Sequence, residues 1–98
     1  MISDKIQLIK QKIEPILKRN DIEFAAVFGS YARGDQNKRS DIDLLVRFSK
    51  PKSLLMLVRL ERDIANLLNV DIDMVTEHAL SPYIKHSVLK DLQVIYGK

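Results

Sequence analysis

Residues 28–48 read FGSYARGDQNKRSDIDLLVRF, and two short marks inside that stretch organise everything around it. The first is Gly29-Ser30, which closes the apolar run Glu23–Phe28 (EFAAVF). The second is Asp41-Ile42-Asp43, which opens DIDLLVRF at 41–48. Between them, Gly34 to Ser40 (GDQNKRS) is polar and rich in turn formers, which predicts a loop. The expected local structure is a buried strand feeding a tight turn, then a loop, then a second strand. Side chains two apart along a strand share a face. Asp41 and Asp43 should therefore project together, while Ile42, Leu44, Val46 and Phe48 fill the other face against a helix.

Working outward, Asp4 to Arg19 reads as a helix with Ser3 as its N-cap. Ile6, Ile9, Ile13 and Ile16 align one apolar stripe. Pro15 falls inside that pattern and should kink or restart it, because proline lacks the N–H an inner helical position needs. Asn20-Asp21 is a stop signal. On the other side, Ser49-Lys50-Pro51 breaks the second strand. Ser53 should cap a helix running to Leu68, its spacing carried by Leu54, Leu57, Val58, Ile64, Ala65 and Leu68. Asp71 to Thr76 (DIDMVT) predicts a third strand. Ser81-Pro82 opens a last helix in the favoured cap-then-proline order, running to about Asp91, and Gln93 to Tyr96 predicts a fourth, edge strand. This order predicts an α/β (α+β) chain in which helices pack on one small mixed β-sheet, with residues 1–98 forming a single domain.

Composition narrows the function classes. The chain has 98 residues, 46% hydrophobic and 30% charged, which places it among ordinary globular proteins with a thin core. It has no cysteine, which rules out disulfides, thiolate metal sites and thiol nucleophiles. Two histidines, His78 and His86, have no third nitrogen or sulfur ligand nearby, so zinc is not expected; both read as surface residues. No segment resembles a signal peptide or a membrane span, which predicts a cytoplasmic protein. The net charge of +3 is spread along the chain and no aromatic platform accompanies it, so direct nucleic-acid binding is not expected. Met56 and Met74 fit core positions. Tyr31 reads as a turn-packing tyrosine and Lys38 and Arg39 as exposed loop cations.

The remaining residues carry chemistry. Two carboxylates side by side repel unless one is protonated or a cation lies between them, and hard oxygen ligands at this spacing suit magnesium, with manganese as the alternative. Glycine lets backbone approach a ligand closely. Ser30 adds a hydroxyl, and the residues after it can begin a helical turn whose N–H groups point at an anion. Arg33 lies within one turn and offers a bidentate phosphate contact; Ser40, just before the carboxylates, is a further nucleotide-binding candidate. A third carboxylate is available at Asp71 or Asp73, which share a strand face, so periodicity does not separate them.

The same residues resemble the nucleotidyltransferase superfamily of DNA polymerase β, most closely its minimal one-domain branch. The likeness covers nearly the whole chain, from the leading helix through FGSYARGDQNKRSDIDLLV to DIDMVT and Val94-Ile95-Tyr96. The resemblance implies that Gly29 and Ser30 bind the triphosphate of ATP, and that Asp41 and Asp43 bind the metal. The family's third carboxylate stands in an apolar-Asp-apolar-Val-Thr context, which matches Asp73 rather than Asp71. The resemblance further implies a HEPN-domain RNase toxin as partner, silenced by adenylylation of a tyrosine, with this chain as antitoxin. Two alternatives stand beside that reading: a non-catalytic antitoxin that acts by contact, and transfer to a small molecule such as an aminoglycoside.

Overall fold

A computed structural model describes residues 4–35, 37 and 41–97, with Ile84 described for its backbone only. Ser3, Lys38, Arg39 and Ser40, all named above, lie outside the described residues. The elements in chain order are α1 (Asp4–Arg19), β1 (Ile22–Phe28), α2 (Ser30–Arg33), β2 (Ile42–Phe48), α3 (Leu54–Leu68), β3 (Ile72–Thr76), a 3-10 turn (Glu77–Ala79), α4 (Pro82–Lys90) and β4 (Gln93–Gly97). The strands form one sheet in the order β3-β2-β1-β4. β1 runs antiparallel to both β2 and β4, and β2 pairs parallel with β3. The sheet is mixed, as expected, and β4 is an edge strand.

α1 and α3 pack on one face. The core there joins Ile6, Ile9, Ile13 and Leu17 of α1 to Val27, Leu44 and Val46 of the sheet and Leu60 and Ile64 of α3. The opposite face carries a smaller cluster of Phe24, Ala26 and Leu45, bordered by Phe28, Val75, Leu80 and Leu92. The central strand β1 is thus covered on both sides, which is why its sequence is a continuous apolar run rather than an alternation. A register shift between Ile22 and Phe24 sends Ile22 into the helix-side core and Phe24 to the other face, which strict alternation would not allow.

Two expectations are corrected here. α1 runs as one helix through Pro15, so the proline does not restart it; Pro15 is exposed, so its ring meets solvent instead of the core, and the helix gives up only one internal hydrogen bond. In α3 the fully buried stripe is Leu60 and Ile64, whereas Leu54 is 76% and Met56 39% exposed. Leu54 borders an open groove against the edge strand β3 instead of a filled core. Met74 does pack against the main core. The caps hold as expected: Met56 N–H donates to Ser53 Oγ at 3.2 Å and Tyr83 N–H to Ser81 Oγ at 3.3 Å.

Candidate active site

The turn between β1 and α2 is built on Gly29. Its φ of 74° and ψ of −150° lie in a region that is essentially restricted to glycine. A Cβ at this position would collide with the Asp43 carboxylate, its Cγ standing 3.1 Å from the Cβ position. Glycine is therefore required twice, by the backbone and by the close approach of Asp43. The chain then enters α2, where Arg33 N–H donates to Gly29 O at 3.1 Å and Asp35 N–H to Ser30 O at 2.8 Å. No side chain caps the start of this helix, so its leading N–H groups are not satisfied by a side-chain acceptor.

The strand register assembles the carboxylates. Asp43 pairs with Phe28 across β1 and with Asp73 across β3, so Asp43 and Asp73 lie side by side on the face opposite α1 and α3. Asp41 lies one residue before β2 and Asp71 one before β3, where the Asp71 carbonyl accepts the Ile42 N–H at 3.0 Å. Asp43 is partly buried, while Asp41, Asp71 and Asp73 are exposed. Burial, then the negative charges of Asp73 and Asp41, push the Asp43 carboxyl above its usual range, with Arg33 opposing them. Each of these causes disfavours the charged form of a carboxylate that lacks a cation.

Arg33 reaches this neighbourhood through its field but is committed to other partners. Its Nε donates to Asp35 Oδ2 at 3.0 Å and its Nη1 lies 3.6 Å from Asp91 Oδ2. Asp91 follows α4, far away in sequence, and nothing in the local pattern signals it; Asp35, two residues from Arg33, was visible as a possible partner. Tyr31 is buried in the main core, with Lys5 Nζ 5.8 Å from its ring centre, so it packs the turn as expected. His78 and His86 are exposed.

Among the described residues no three His, Cys, Asp or Glu side chains converge into a ready-made metal cage. That suits an ion that takes one or two carboxylates and completes its shell with substrate phosphates, and the uncompensated charge around Asp43 fits such an ion. A cleft of about 460 Å³ lined by Phe48, Lys50, Lys52, Thr76 and His78 lies at the far end of β2 and β3 from these carboxylates. It belongs to a different part of the surface. No helix among the described residues is long and apolar enough to cross a membrane.

Comparison with known proteins adds four findings. The profile of the polymerase beta nucleotidyltransferase family matches residues 11–98. A Methanocaldococcus jannaschii protein named for protein adenylyltransferase activity is 43% identical over 86 residues, covering 88% of this chain and 92% of that one. The protein adenylyltransferase MntA of Thermococcus cleftensis is 34% identical over 93 residues, covering 87% of this chain and 94% of that one. Among solved structures, a chain from a toxin–antitoxin crystal structure with AMP-PNP superposes with a TM-score of 0.80 at 26% identity, covering 91% of this chain and 73% of that chain.

Proposed function

This chain belongs to the polymerase beta nucleotidyltransferase family, and from that premise we propose that it transfers AMP from ATP to a tyrosine of a HEPN-domain toxin and so acts as that toxin's antitoxin. The observation that carries the reading is the contact of Asp43 with the Gly29-Ser30 turn on one side and its pairing with Asp73 on the other. A phosphate-binding turn and a metal-binding carboxylate need to be adjacent if one triphosphate is to touch both. The names of the relatives support an adenylate as the transferred group and a protein as the acceptor.

In this reading Gly29 and Ser30 seat the triphosphate against the open N-terminus of α2, with Ser40 as a further contact. Arg33, held by Asp35 and Asp91, would add positive charge to the phosphates by exchanging those partners for phosphate oxygens. Asp41, Asp43 and Asp73 would hold magnesium, Asp73 being the third carboxylate of the set. When bound, the divalent ion supplies charge neutralisation and orientation of the phosphates. The acceptor hydroxyl attacks the α-phosphorus, the bond from that phosphorus to the bridging oxygen breaks, and pyrophosphate leaves. Asp73 takes the hydroxyl proton, which leaves the new phosphodiester on the acceptor. Such a phosphodiester adds negative charge and bulk, which blocks an RNA path by repulsion and sterics. The protein works in the cytoplasm, where ATP and magnesium are available.

The test is to incubate the purified HEPN-domain partner with this protein, magnesium and ATP and to take intact masses. The expected result is a partner heavier by one or more adenylates and no longer active as an RNase, with neither change when Asp41→Asn and Asp43→Asn are combined. A silenced but unmodified partner would favour neutralisation by contact.

A further inference from the structure

α3 opens with Leu54-Leu55-Met56-Leu57-Val58, five apolar residues that cover every side of a helical turn. The core uses little of this turn. Leu54, Leu55 and Val58 are 76%, 78% and 46% exposed, and the fully buried stripe starts only at Leu60. The surplus is not scattered. Leu54, Leu57 and Val58 face Met74, Val75 and Ala79 across a groove of about 190 Å³ between α3 and β3. Leu57 and Thr76 line both this groove and the cleft that carries Lys50, Lys52 and His78. Groove and cleft therefore adjoin as one trough, apolar at one end and charged at the other, where Lys52 is paired with Asp21 and Arg47 with Glu77, and Lys50 forms no ion pair among the described residues.

The free side of the apolar row is basic. Arg59 and Arg62 are exposed and stand four residues on from Leu55 and Val58, the spacing that makes helical neighbours. Neither forms an ion pair among the described residues. Of the carboxylates here, Asp63 is exposed beside Arg62 and offsets part of this charge, and Glu61 is engaged: its Oε2 accepts the Met74 N–H at 3.0 Å. That bond also fills an outward-facing donor of the edge strand β3, so an incoming strand finds the ladder blocked there. What the trough accepts is side chains.

We infer that this trough is the docking surface for the acceptor protein, and that it receives an amphipathic helix whose apolar stripe runs beside acidic residues. The inference rests on the reading that the acceptor is a protein. Charge complementarity selects the occupant, because Arg59, Arg62 and Lys50 repel a basic partner and a second copy of this mildly basic chain. Position makes the surface useful: Met74 follows Asp73 directly, and at roughly 3.3 Å per residue a helix seated along Met74–Thr76 lies within about 10 Å of Asp73 measured along β3, with the carboxylates on the other face of this edge strand, so the acceptor side chain comes to them around the sheet edge. A tyrosine on a neighbouring segment of the partner is then in reach.

The experiment measures binding of the HEPN-domain partner by calorimetry with ATP omitted, so that docking is read apart from transfer. Leu54→Ser combined with Leu55→Ser, and separately Arg59→Glu combined with Arg62→Glu, should each weaken binding at least tenfold, the wild-type affinity should fall with added salt, and ATP binding should be unchanged in both variants. Circular dichroism confirms that the exposed substitutions leave the fold intact. Unchanged partner affinity in both variants, or no measurable binding by the wild-type chain, would overturn the inference. So would sedimentation showing that the apolar patch joins two copies of this chain in a dimer that the Leu54→Ser/Leu55→Ser variant dissolves. A partner that binds through the trough but gains no adenylate would instead sink the transfer reading and leave the docking surface standing.

Discussion

Gly29 and Asp43 form the closest constraint at the candidate site. Gly29→Ala places a side chain in a backbone region worth about 1–3 kcal/mol of strain and drives Asp43 out of position. The expected outcome is a loss of stability of at least that order in urea melts, together with loss of ATP binding. Asp43 carries a pH signature of its own. Its carboxyl is held above the ordinary range by burial and by Asp73 and Asp41, so the folded state binds its proton more tightly than the unfolded state. That contribution favours folding at acid pH and is lost as pH rises from the unfolded value, about 3.9, through the raised folded value. Asp43→Asn should therefore raise the melting temperature at pH 7 without divalent ions, and the difference should shrink toward pH 3; equal differences at both pH values would refute the assignment. Between the two carboxylates of β3, the register favours Asp73, which pairs with Asp43, while Asp71 lies just outside the strand. Asp73→Asn should cut single-turnover transfer by about 10²–10⁴-fold, with Asp71→Asn close to wild type.

Among the elements, α1 shows how packing overrides propensity. Its buried residues Ile6, Ile9, Ile13 and Leu17 keep the helix continuous through Pro15 because the proline occupies the solvent side. Pro15→Ala restores the missing N–H bond without touching the core. It should stabilise the protein by about 1–3 kcal/mol, read as a higher urea midpoint at unchanged slope. α3 shows the converse. Its apolar spacing was legible, yet spacing alone could not tell a residue that meets the sheet from one that stays in solvent. Leu60 and Ile64 meet it; Leu54 and Leu55 do not.

At the scale of the whole molecule, the proposed site would couple ligand and fold, because Asp43 and Asp73 sit on neighbouring strands and the Gly29-Ser30 turn follows a third. ATP with magnesium should bridge these strands and stabilise the fold. At about a hundred times its Kd, a ligand specific for the folded state contributes about 2.7 kcal/mol. Thermal melts with ATP should show this shift in magnesium and lose it in EDTA. A shift of the same size in EDTA would mean that the carboxylates take no part in holding the nucleotide.

Sequence alone determined the element order, the caps at Ser53 and Ser81, the mixed sheet and the pairing of a glycine turn with Asp41 and Asp43. These are local properties: periodicity, turn chemistry and motif spacing are written within a few residues of one another. Only the tertiary structure decided which side chains those motifs meet. The register of β2 against β3 set Asp73 beside Asp43, two residues 30 positions apart in the chain. The path of the chain after α4 brought Asp91 to Arg33, and the packing of α3 against the edge strand β3 left Leu54 and Leu55 in solvent. Contacts of this kind depend on where whole elements pack, and packing is settled by the summed burial of many residues, so no single stretch of sequence records it.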